Sequence, residues 1–266
     1  MAHDTITSMD ALEFLQGSLR TDGSWRFDIG RDRHGAFGGA FGGLLAACTV
    51  ATARSTVPDR VVVSLDARFL RGLPAGEARL VPTIVHAGRS LTCVQVDVLD
   101  DGERLATRST LYLVDRSRLQ PLDHEGEGGA APASVPWADG TPWRNPPGME
   151  VPIVTTFAPR SVGRTDRGIG TALQVPWEDR GASAEAACLA ADICVGPPVG
   201  GAFPGRPTPA PNPDLSLRFT GEVAGPEVVG WGRLERMFHG LAAVRIEVRS
   251  GAALLAVGVS CSLVIT

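Results

Sequence analysis

Two stretches of this chain repeat one pattern at a spacing of 150 residues, and that repeat constrains the fold more than any other feature. Arg68-Phe69 recurs as Arg218-Phe219, Leu91 as Leu241, and Val94 and Val98 as Val244 and Val248. Leu105-Ala106 returns as Leu255-Ala256 and Leu113-Val114 as Leu263-Val264, while the turn glycines Gly102 and Gly251 agree within one residue. One register held through several strand-like stretches implies an internal duplication. Two copies are too few for a solenoid and imply two similar domains packed as a pseudo-dimer within one chain. At 266 residues and 44% hydrophobic content, each copy has the length and apolar content of a small domain.

Each copy reads as an apolar helix followed by four strands. The first copy opens with helical spacing at Met9, Leu12, Leu15 and Leu19, and residues 36–54 predict a second helix with a glycine-rich first half. Strands are expected at 61–70, 78–86, 91–99 and 103–114, the last after an Asp101-Gly102 turn. In the first of these, Val61, Val63, Leu65 and Phe69 share one face, while Ser64, Asp66 and Arg68 share a face expected to be solvated. Residues 115–150 turn to Pro, Gly and charge, so the predicted domains are 1–118 and 151–266 with a linker at 119–150. The second copy predicts a strand region at 152–177 and an apolar helix at 184–195 capped by Ser183, with Gly196 just past its end. A Pro/Gly loop at 196–213 is expected to shape the mouth of a binding tunnel, and strands follow at 214–220, 227–237, 241–249 and 253–265.

Composition removes whole classes of chemistry. All 25 basic residues are Arg, so Schiff-base, Walker A and Ser–Lys mechanisms are excluded. A net charge of -4, evenly mixed along the chain, offers no electrostatic footprint for nucleic acid. The N-terminal MAHDTITSMD does not read as a signal peptide, and no run approaches the ~18 apolar residues of a membrane span. Cys48, Cys93, Cys188, Cys194 and Cys261 form no Cys-x-x-Cys pair and sit in apolar stretches, as expected of buried, reduced thiols in a cytoplasmic protein. His3, His34, His86, His124 and His239 are scattered, so no metal is expected, and GxGxxG and GxSxG are both absent.

A helix apolar on all sides must be wrapped by its sheet. The expected fold class is therefore α+β, a double hot dog: two tandem domains, each an antiparallel sheet curled around one central helix. The chain resembles the TesB-type (type II) acyl-CoA thioesterases over most of its length outside the linker. The resemblance rests on Phe37-Gly38-Gly39 before the first central helix and on Phe69-Leu70-Arg71 ending a strand. It rests equally on Asp192 late in the second helix and on the DLSLRF strand beginning at Asp214. The resemblance implies a site in the second copy where an Asp, a Thr-like residue and a Gln hold a water; the matching positions are Asp192, Asn212 and Ser260. The glutamine that commonly follows Phe-Gly-Gly in the family is Ala40 here.

Asp192 stands out independently, as the only carboxylate in 186–204, set between Ala191 and Ile193 near a helix C-terminus. Burial and the helix dipole both raise the pKa of such a group, which suits a general base. At the 150-residue spacing Asp192 corresponds to Gly42, Asn212 to Val62 and Ser260 to Thr110, which implies one working site per chain. Gly38 and Gly39 have two readings: substrate-binding amides that polarise a thioester carbonyl, or close-packing residues between helices. The leading expectation is hydrolysis of an acyl-CoA thioester by Asp-activated water, without a cofactor. A non-hydrolytic acyl-CoA-binding protein and a hot-dog hydratase using an Asp/His pair are the alternatives. Arg68, Arg71, Arg89 and Arg218 are available for CoA phosphates, and long edge strands invite assembly into a homo-oligomer, dimer or tetramer.

Overall fold

A computed structural model describes residues 9–124, 135–145, 148, 150–203 and 210–265. The first copy contains α1 (Ala11–Leu15), β1 (Gly17–Leu19), β2 (Trp25–Ile29), α2 (Gly42–Thr56), β3 (Val61–Phe69), β4 (Gly76–Ala87), β5 (Leu91–Leu99) and β6 (Leu105–Val114). The second contains β7 (Thr141–Pro142), α3 (Ile153–Phe157), β8 (Arg160–Thr165), β9 (Gly168–Gln174), α4 (Ser183–Ile193) and α5 (Gly196–Gly200). It ends with β10 (Asp214–Phe219), β11 (Glu227–Phe238), β12 (Leu241–Ser250) and β13 (Ala253–Leu263).

The strands form one antiparallel sheet in the order β1-β2-β4-β5-β6-β3-β10-β13-β12-β11-β9-β8-β7, a tandem hot dog whose halves mirror each other about the β3–β10 seam. There Asp66 stands opposite Ser216, Arg68 opposite Asp214, and Ser64 opposite Arg218. Adding the 150-residue spacing to each β3 residue regenerates the same pairing from the other side, so the Asp66–Ser216 pair marks a local pseudo-twofold axis.

The central helices are engulfed. In α2 every residue from Gly43 to Ala53 is buried, and in α4 every residue from Glu185 to Ile193. Removing a Leu side chain from water contributes about 1.5–3 kcal/mol, and Leu44, Leu45 and Leu189 all sit at 3% exposure or less. Small side chains let the two helices approach: a Cβ on Gly43 would lie 2.8 Å from the Cys188 carbonyl oxygen.

Several local expectations change. The first helix stops at Leu15, where Gln16 adopts a left-handed conformation, and Leu19 lies in β1. The second begins at Gly42 rather than residue 36. A bulge between Val62 and Ser64 shifts the phase of β3, so that Val62 and Ser64 are buried while Val61 is only half-buried. The region 152–177 is a short helix and two strands. Ser183 does not cap α4; its hydroxyl donates to the Arg180 carbonyl and accepts from the Ala224 N–H, tying the loop before β11 to the helix start. Within the 119–150 segment, Thr141 and Pro142 pair with β8 at the sheet edge. Cys261 is exposed, unlike the other four thiols, and all five are free.

The 150-residue spacing does not extend back through the helices. Ile29 and Gln174 stand opposite Gly76 and Glu227, at corresponding places in the two copies but 145 residues apart. The second copy has the shorter central helix, 11 residues against 15, and then carries α5 and residues 201–213 before β10. Gly42 and Asp192 are therefore not counterparts, as the spacing had suggested. They are neighbours at one end of an antiparallel helix pair: a Cβ on Gly42 would lie 3.1 Å from both Asp192 carboxylate oxygens.

Candidate active site

Asp192 is carried by the last turn of α4, where the surrounding Ala and Ile residues pack inward and leave its side chain directed at the N-terminus of α2. The carboxylate is 7% exposed. Its Oδ2 accepts a 2.8 Å hydrogen bond from the Gly43 N–H, and its Oδ1 accepts a 2.6 Å bond from Asn212 Nδ2. The first donor belongs to the first copy and lies at the positive end of the α2 dipole; the second stands two residues before β10. Burial raises the Asp192 pKa above the ordinary carboxylate value, opposed by the Asn212 and Gly43 hydrogen bonds, with a net upward result.

The two carboxylate hydrogen bonds leave further lone pairs, and Asp192, Gly42 and Asn212 all border one cavity of about 1040 Å³. Its walls are mainly apolar. Phe37, Leu45 and Phe69 come from the first copy; Trp143, Ile153, Ile169 and Phe203 from the second. Gly196, Pro197, Gly200 and 210–213 line one side; the first three belong to the short helix α5 rather than to the Pro/Gly loop expected from residue 196 onward. Thr141–Arg144, which the sequence assigned to a linker, also contribute, and the exposed Arg71 and Arg144 stand among the lining residues.

The sequence-derived site residues separate in space. Asp192 and Asn212 are hydrogen-bonded partners in the cavity wall. Ser260 is not in that wall: its Oγ donates to the Asp214 carbonyl at 2.7 Å, while Asp214 Oδ1 accepts from the Cys261 N–H at 2.7 Å. The serine thus fastens β13 to the start of β10, two residues past Asn212. Gly39 borders the cavity, with its own carbonyl accepting from the Gly35 N–H; Gly38 occupies a left-handed turn before it. Neither donates to the carboxylate.

The residues missed by sequence reasoning are Gly42 and Gly43. The tripeptide Phe-Gly-Gly occurs twice, at 37–39 and 41–43, and the second copy opens the helix. The residue after that second tripeptide is the fully buried Leu44, not Ala40. Among the arginines considered for phosphate contact, Arg71 reaches the cavity, whereas Arg218 pairs with Asp66 at 3.2 Å and Arg68 with Asp214 at 3.8 Å. Among the described residues no histidine borders the cavity; His34 lies behind the glycine turn, bridged to Ala40.

Residues 31–114 match the family model described as the acyl-CoA thioesterase N-terminal domain. No curated protein matches the sequence. Among solved structures, a proposed thioesterase from Novosphingobium aromaticivorans superposes with a TM-score of 0.75 at 21% identity, covering 93% of this chain and 98% of its own. A hot-dog protein of unknown function from Alicyclobacillus acidocaldarius gives 0.75 at 20% identity, covering 97% and 99%. The acyl-CoA thioesterase II TesB2 of Mycobacterium marinum gives 0.71 at 16% identity, covering 96% and 97%. In sequence the likeness is thus to an acyl-CoA thioesterase N-terminal domain over residues 31–114, and to the TesB2 structure it is one of fold over nearly the whole chain.

Proposed function

We propose that this thioesterase-type double hot dog hydrolyses acyl-CoA thioesters to the free acid and CoA. The observation that supports the reading is the buried Asp192 carboxylate, clamped by two donors and opening onto a largely apolar cavity large enough for an acyl chain. Asp192 takes a proton from a water molecule, whose oxygen adds to the thioester carbonyl carbon. Backbone N–H groups at the start of α2, Gly42 foremost, receive the developing oxyanion at the positive end of the helix dipole. The C–S bond then breaks and the thiolate of CoA recovers the proton from Asp192. No covalent enzyme intermediate forms.

Asn212 fixes the carboxylate and presents an amide carbonyl that can accept from the attacking water. Ser260 acts as a positioning residue, bracing the β10 start beside Asn212. Arg71 and Arg144 offer positive charge to the CoA phosphates. Among the described residues no helix is long and apolar enough to cross a membrane, and the free cysteines suit a cytoplasmic setting.

Thiol release measured across acyl-CoA chain lengths tests the reading, with Asp192→Asn as the control. A second reading, acyl-CoA binding without hydrolysis, is favoured by one observation: the Ser260 hydroxyl is committed to the Asp214 carbonyl and leaves the water with two side-chain partners instead of three. Tight acyl-CoA binding without thiol release in the wild-type chain would establish that alternative.

A further inference from the structure

The pseudo-twofold axis at Asp66–Ser216 places a second cavity, of about 500 Å³, at the opposite end of the β3–β10 seam. The correspondence at the 150-residue spacing holds at the ends of the seam strands. Phe69 of the first cavity becomes Phe219 in the second, and Asn212 becomes Val62. The helix ends exchange as well: the first cavity uses the α2 start and the α4 end, the second the α4 start at Ser183 and the α2 end at Arg54.

The chemistry is not repeated. Where the first cavity has a carboxylate and an amide, the second is ringed by Arg54, Arg60, Arg116 and Arg180. Arg54 is engaged by Glu185 at 3.0 Å and Asp179 at 3.3 Å. The others keep capacity. Arg60 Nη2 donates to the Gly88 carbonyl at 2.8 Å, while its Nη1 is buried and without a hydrogen-bond partner among the described residues. Arg116 Nη2 donates to the Gly221 carbonyl at 2.8 Å. It reaches that close because residue 221 is glycine: its φ is +83° and a Cβ there would lie 2.6 Å from Arg116 Nη2. Arg180 makes no ion pair among the described residues. Glu222 is the one acidic residue in the described wall, and Val61, Val62 and Phe219 supply an apolar floor.

A buried guanidinium nitrogen with no acceptor is costly unless an acceptor arrives. We infer that this second cavity is an anion site that takes a phosphate-bearing ligand, with Arg60, Arg116 and Arg180 supplying charge-assisted bonds and the valine floor accepting an apolar or aromatic body. It stands on the fold alone and holds whether or not the first cavity hydrolyses thioesters.

Calorimetric titration of the full chain with inorganic phosphate, ADP and adenosine tests the site. Phosphate and ADP are expected to bind and adenosine not; ADP binding tighter than phosphate assigns the apolar floor to a nucleoside. Arg60→Gln and Arg180→Gln are each expected to weaken ADP about tenfold or more, while Asp192→Asn leaves it unchanged. Arg180→Gln also serves where Arg60→Gln disturbs the Gly88 loop, because it removes no described ion pair. Thiol release by Arg180→Gln is expected to match wild type. No binding of phosphate or ADP, binding that survives both arginine substitutions, or binding abolished by Asp192→Asn would each overturn the inference.

Discussion

The Gly43 N–H donates to Asp192 Oδ2 across 2.8 Å, and in doing so joins the first turn of α2 in one copy to the last turn of α4 in the other. Gly43 is also the only residue type that fits: a Cβ would stand 2.8 Å from the Cys188 carbonyl and 2.9 Å from Asp192 Cβ. Gly43→Ala is expected to force α2 and α4 apart, lowering stability by roughly 1–3 kcal/mol. Thiol release should fall by more than the loss of folded protein accounts for. Denaturant melts beside kcat measure both; an unchanged kcat in folded protein would show that the clamp does not position the carboxylate.

Asp192→Asn is expected to lower kcat by roughly 10²–10⁴-fold with the circular dichroism spectrum preserved. Asparagine keeps an oxygen for Gly43 N–H but turns its amide toward Asn212 Nδ2, so a small loss of stability accompanies the loss of base. Activity within a few fold of wild type would remove Asp192 from the chemistry.

The pH profile follows from the sign of the Asp192 shift. Its folded pKa lies above the ordinary aspartate value of 3.8, and only the ionised form accepts a proton from water. Activity should therefore decline on the acid side before an ordinary aspartate would be protonated. Asn212→Ala removes the donor that favours the charged form and should move this acid limb to higher pH. The pH dependence of kcat/KM checks it, and an unmoved limb with a lowered kcat would instead assign Asn212 to the water.

Glu185 sets the pH dependence of stability. It is fully buried on α4, and burial raises its pKa to about 7, against the partial relief of Arg54. The unfolded carboxyl loses its proton near the ordinary glutamate value of 4.5, so between that pH and about 7 the folded state holds the extra proton. Stability should fall as pH rises through that window, by on the order of 3 kcal/mol, and level off above it. Glu185→Gln should flatten this dependence; a melt series from pH 4.5 to 8 that retains the slope would place its origin elsewhere.

The strands and both central helices were readable because each expresses a local period, and the β3–β10 register reproduces the 150-residue spacing found in the sequence. The β3 faces were misread at Val62 because a bulge adds a residue without leaving a compositional mark. Asp192 was legible as an isolated acid in an apolar helix. Its donors were not equally so. Asn212 followed from family position, whereas Gly43 was masked by the earlier Phe-Gly-Gly, since nothing local distinguishes a turn glycine from a helix-opening one. Ser260 shows the converse: its position on the last strand was clear, but the carbonyl it serves depends on how β13 sits against β10.

The seam at Asp66 and Ser216 has one more consequence. In an assembly of two identical single-copy chains, any substitution at one end of the helix pair appears at the other as well. Linking the copies in one polypeptide removes that obligation: Asn212 and Val62, or Arg71 and Gly221, stand 150 residues apart and line the two cavities yet can change separately. In this chain one end carries a carboxylate and the other is lined by arginines, so a symmetric backbone frame has two chemically distinct ends.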